Sequence, residues 1–104
     1  MYTTCLSMRL RPDSLEAYKR AHDELWPTVA EGMSRNNVSM AIYHSCDRLF
    51  VFAAAPSEAD WNASRKDPSL EKWNTYMTQF LQTDENENIA FELLENVFAF
   101  GEFA

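Results

Sequence analysis

Between Asp13 and about Arg35, Leu15, Tyr18, His22, Leu25, Trp26, Val29 and Met33 keep to steps of three and four. That spacing puts them in one stripe along a helix. A helix with one apolar stripe must bury it against a second layer, so this run constrains the whole fold. Asp13 is the expected N-cap, and Glu16 completes the spacing of a capping box. Pro27 lies inside the run, lacks a backbone donor, and should kink or split the helix just before it. Gly32 and the Asn36–Asn37 pair supply the expected exit.

The rest of the chain reads mostly as strand. Thr3 to Leu10 alternates, with Leu6, Met8 and Leu10 on one side and Cys5, Ser7 and Arg9 on the other, and Pro12 closes it. Val38 to His44 and the almost wholly apolar Leu49 to Ala55 form a hairpin about Ser45–Arg48, the second strand being central. Ser57, with Asp60 three residues on, caps a short helix to about Lys66. Asp67 and Pro68 start another, whose inner face is Leu70, Trp73, Met77, Phe80 and Leu81. A polar loop, residues 83–88, precedes a last strand from Phe91 to Phe100. The order β-α-β-β-α-α-β predicts an α+β, ferredoxin-like antiparallel sheet with helices on one face. The opposite face also needs cover, which a second copy would supply as a dimeric α+β barrel. The expected organisation is one domain over residues 1–104, since the chain is 46% hydrophobic and has material for one core.

Composition narrows the partners. The net charge is −7, and no basic stripe is present to release counterions from phosphate, so nucleic acids and anionic membranes are disfavoured. A small neutral ligand fits better. Cys5 and Cys46 are too few for a disulfide framework and are expected as buried free thiols. With no apolar signal core near the start and no run long enough to cross a bilayer, a reducing cytoplasm is the expected location. Gly32 and Gly101 are the only glycines, which argues against a phosphate-cradling loop and a nucleotide cofactor. His44, at a strand end, is expected to be an exposed turn residue. His22 and His44 lack further ligands at suitable spacing, so no metal site is expected.

The chemistry-bearing residues gather on two helices. Tyr18 and His22 are four apart and share a face, and Trp26 continues the line. An imidazole beside a phenol and an indole suits a small polar pocket; a hydrogen-bonded core histidine would occupy the same stripe. On the later helix, Trp73 offers an aromatic surface for sugar C–H groups and Asn74 an amide for hydroxyls, although a core tryptophan and a solvated asparagine fit that spacing too.

Tyr18, His22, Trp26 and Pro27 together resemble the Y-x-x-x-H-x-x-x-W-P signature of the L-rhamnose mutarotase family. Ala41-Ile42-Tyr43 is similar to that family's A-I-Y strand, and Leu49-Phe50 follows in the matching hairpin position. Trp61-Asn62 resembles its W-N, Trp73 with Tyr76 and Met77 its W-W-x-Y-M, and Glu95, Val97 and Phe98 its closing E-V-F. The resemblance runs from about Met1 to Phe100. It implies a cofactor-free homodimer that interconverts the α and β anomers of L-rhamnose. It also implies His22 as the acid–base residue, with Tyr18 and Trp73 as sugar contacts. Two positions depart from the pattern: Asn74 stands where the second paired tryptophan is expected, and Met40 where a strand tyrosine falls once one loop residue is deleted. Both are expected in the pocket, which leaves L-fucose or another aldose as an alternative sugar. Dimeric α+β barrels also include cofactor-free monooxygenases and haem-degrading proteins, some built around Asn, Trp and His, so that chemistry stays open beside a non-catalytic ligand-binding barrel.

Overall fold

The computed structural model describes residues 1–104. Its elements are β1 (Tyr2–Arg9), α1 (Leu15–Asp23), α2 (Pro27–Arg35), β2 (Ser39–Ser45), β3 (Arg48–Ala55), α3 (Glu58–Ser64), α4 (Pro68–Met77) and β4 (Phe91–Leu93), with a short 3₁₀ turn at Gly101–Phe103. The four strands form one antiparallel sheet in the order β2-β3-β1-β4. The apolar strand β3 is central, as its sequence predicts, and this is the ferredoxin-like α+β arrangement.

The ladder register decides what faces what, because residues opposite each other share a face. Leu49 pairs with Met8 and with His44; Val51 pairs with Leu6 and with Ile42; Ala53 pairs with Met40. This side of the sheet meets the helices. Leu49 is 2% exposed in a core with Tyr18, Ala21, Val29, Leu70, Trp73, Met77 and Leu81, and Met8 and Ile42 pack against it. The outer side presents Tyr43, Phe50 and Phe52, and Phe103 covers Phe52 at a ring separation of 5.3 Å.

Pro27 splits the first helix outright. Trp26 sits at φ −59°, ψ 130°, the extended state that a following proline enforces, and Pro27 opens α2 where a missing N–H costs nothing. Ser57 Oγ accepts from the Asp60 amide at 3.2 Å, and Asp67 Oδ1 accepts from the Ser69 amide at 2.9 Å, as the spacing predicts.

Four expectations are corrected. Asp13 does not cap: it turns through φ 60°, which moves the cap to Ser14, and Ser14 makes no side-chain cap bond. Short Asp side chains tolerate that left-handed state, so the turn after Pro12 uses it to reverse the chain. Gly32 is not an exit but a close approach, since a Cβ there would meet Asp67 Oδ2 at 3.1 Å; Asn37, at φ 56°, makes the exit. Cys46 is exposed in the hairpin turn at φ 57° and Cys5 is half-buried, so neither thiol is sealed in a core. The last strand pairs only over Phe91–Leu93, after which Leu94 N donates to Cys5 O at 2.9 Å and the ladder stops. Beyond it Val97, Phe98 and Phe100 are 89%, 80% and 80% exposed, with no strand of this chain beside them.

Candidate active site

α1 is amphipathic, and its inward face carries Tyr18 and His22 one turn apart, with ring centroids 4.3 Å apart. His22 Nδ1 lies 3.0 Å from the Tyr18 carbonyl. A carbonyl only accepts, so Nδ1 carries the proton, and in the neutral imidazole Nε2 is the free basic nitrogen. The protein backbone therefore selects the tautomer.

From α4, Trp73 meets His22 edge-on at 5.3 Å and is itself 5% exposed. It is held by Trp26 at 5.1 Å and Tyr76 at 5.7 Å, and Trp26 stacks on Tyr76 at 5.5 Å and 15°. This aromatic cluster joins the start of α2 to α4 and fixes the wall beside the imidazole. Trp26 and Tyr76 serve that wall from behind; they do not line the cavity.

A cavity of about 1480 Å³ opens between the helices and the inner sheet face, lined by Tyr18, His22, Met40, Trp73 and Asn74 together. All five candidate residues thus meet in one space. It exceeds the roughly 300–1,000 Å³ of ordinary ligand sites, so side-chain chemistry rather than volume must select what binds. Burial pushes the Tyr18 phenol above its ordinary range, because a phenolate would be poorly solvated there. It is a neutral O–H at any working pH, suited to donating a hydrogen bond and poorly suited to surrendering its proton. His22 is half-buried on this cavity and lies outside the sealed core, which separates it from a plain core histidine. No trio of metal-ligating side chains is assembled.

His44 is exposed, as expected, but β2 runs through it to Ser45, so it belongs to the strand and not the turn. Its register puts it on the cavity side with Met40 and Ile42. The signal was available in the alternation Met40, Ile42, His44. Trp61, in the middle of α3, and Arg65, just past its end, also line the cavity. No periodicity marks Arg65, because it follows the last residue of the helix.

Comparison with known proteins agrees with this architecture. The profile of the L-rhamnose mutarotase family matches residues 3–100. The chain belongs to the L-rhamnose mutarotase family. An L-rhamnose mutarotase of Escherichia coli O8 is 30% identical over 92 residues, covering 85% of this chain and 88% of that protein. One of Tolumonas auensis is 28% identical over 90 residues, covering 83% and 86%. Among solved structures, an L-rhamnose mutarotase from Formosa agariphila superposes with a TM-score of 0.81 at 24% identity, over 97% of this chain and 100% of that one. An antibiotic biosynthesis monooxygenase shares the fold alone, with a TM-score of 0.63 at 9% identity over 93% and 99%. No helix is long and apolar enough to cross a membrane.

Proposed function

We propose that this family member is an aldose mutarotase acting on L-rhamnose or a related 6-deoxy sugar, with His22 as its acid–base residue. The observation that supports this most is the anchored imidazole: Nδ1–H is bound to the Tyr18 carbonyl, leaving Nε2 as the basic nitrogen on a cavity walled by Trp73. Nε2 takes the proton of the anomeric hydroxyl as the C1–O5 bond breaks. The ring oxygen receives a proton from water, and the neutral Tyr18 hydroxyl donates a hydrogen bond to the sugar. Rotation about C1–C2 exposes the other aldehyde face. On reclosure the C5 hydroxyl returns its proton to the hydroxide left by that water and the imidazolium returns its own to O1, so the cycle balances. Acid–base assistance of this kind contributes about 100- to 10,000-fold. Exchange spectroscopy between anomers, run over L-rhamnose, L-fucose and common aldoses, tests the reading. It predicts faster exchange of L-rhamnose than buffer alone; buffer-rate exchange of every sugar would remove it.

Met40 and Asn74 set the selectivity. A flexible thioether and an amide stand where the family pattern has a phenol and an indole, and both line the cavity. A site that lacks a hydrogen-bonding group discriminates less well. Met40→Tyr and Asn74→Trp should each sharpen the preference for L-rhamnose in steady-state comparison with the parent. Unchanged preference in both would take these positions out of the sugar site.

The working form is a homodimer in the cytoplasm. Tyr43 is 69% exposed on the outer sheet face, and Val97, Phe98 and Phe100 add bare apolar surface, the pattern of an interface. The exposed free thiol of Cys46 suits a reducing compartment. Light scattering at micromolar concentration should give twice the chain mass; a monomer there would contradict the dimer.

A further inference from the structure

Arg65 is a cation on the cavity that forms no ion pair with the carboxylates of Asp23, Asp67, Glu71 and Glu87, which line the same broad space. It lines the space that His22 and Trp73 line and is only partly exposed. Its guanidinium lies 4.4 Å over the Trp61 ring, and its hydrogen bond within the chain runs from Nε to Ser64 Oγ at 3.2 Å. Ser64 is itself 3% exposed and donates to the Trp61 carbonyl at 2.6 Å, so the stem of the fork is held firmly. The terminal amino groups are left without a partner. The ion pairs of the fold are Arg9–Asp47, Arg35–Asp67 and Arg48–Glu92, and none includes Arg65. The acid nearest in sequence, Asp67, is already engaged by Arg35 and by the Ser69 amide and hydroxyl. Burial pulls the Arg65 guanidinium down from its usual range, the mark of a partly desolvated charge, though it stays protonated.

Desolvating a cation is unfavourable unless oxygen acceptors meet it, and a planar fork fits a carboxylate with two parallel bonds. We propose that Arg65 is a substrate-binding residue that takes the carboxylate of a sugar acid, so that the cavity accepts hexuronates as well as neutral 6-deoxy sugars. The overall charge of −7 and the cavity's own carboxylates at Asp23, Glu71 and Glu87 work against an anion, so binding depends on the direct fork contact to Arg65, which none of them occupies. The inference rests on the mutarotase reading: His22 does the chemistry at the anomeric carbon, and Arg65 holds the C6 end.

The test is anomer exchange measured on L-rhamnose and on galacturonate, glucuronate, mannuronate and guluronate, each uronate beside its neutral hexose. The parent should exchange at least one uronate with a kcat/KM about 10- to 100-fold above that of the neutral partner, the range for a charge-assisted pair. Arg65→Gln should bring that ratio close to one, with L-rhamnose exchange falling by a smaller factor. Arg65→Lys, which keeps charge without the fork, should retain part of it. Circular dichroism confirms that each variant folds. If the parent exchanges L-rhamnose but prefers no uronate, or if the preference survives in folded Arg65→Gln, the assignment of Arg65 is wrong while the mutarotase reading stands. If no sugar is exchanged, both fall.

Discussion

Trp73→Ala should cost about 3–5 kcal/mol of stability, the range for removing a large buried aromatic side chain. Small domains have only about 5–15 kcal/mol in total, so much of the protein would unfold in mild denaturant. The reason lies in what the indole touches. Trp73 is 5% exposed and meets Trp26, Tyr76 and His22, so its loss removes the ring that joins three elements and widens the cavity it walls. Trp73→Phe keeps a ring in the wall and should lose less than half as much. Urea unfolding at fixed protein concentration measures both, with concentration held constant because dimerisation would add to apparent stability. A loss under about 1 kcal/mol for Trp73→Ala would mean that the aromatic cluster is looser than its geometry indicates.

Much of the fold was legible because local chemistry and tertiary need agree. Pro27 cannot donate, so the helix had to break there, and Ser57 and Asp67 had to cap because the amides after them need acceptors. Asp13 misled because periodicity sees stripes and not turn dihedrals; the φ of 60° that displaces the cap leaves no periodic trace. The final strand was over-extended for a different reason. Bulky residues on both sides of the run from Phe91 to Phe100 report apolar surface that needs a partner, without saying that the partner lies in the same chain, and only Phe91–Leu93 find one here. At the site, Tyr18, His22 and Trp73 follow from helical spacing, Asn74 from its amide beside Trp73, and Met40 from the family resemblance; all five line the cavity. Arg65 was not legible, because where a side chain points after the last turn of α3 depends on how α3 meets α4.

His22→Asn should keep the fold and lower anomer exchange by at least about 100-fold, since an amide keeps a hydrogen-bonding side chain but cannot shuttle a proton. His22 is half-buried and contributes one ring to a cluster that Trp26, Trp73 and Tyr76 complete without it, so the stability cost should be small beside that of Trp73→Ala. The exchange rate of L-rhamnose anomers per folded protein, measured by NMR for parent and His22→Asn with folding checked by circular dichroism, is the most direct test. The predicted result is a folded variant slowed at least about 100-fold; a folded variant exchanging at the parent rate would contradict the assignment of His22.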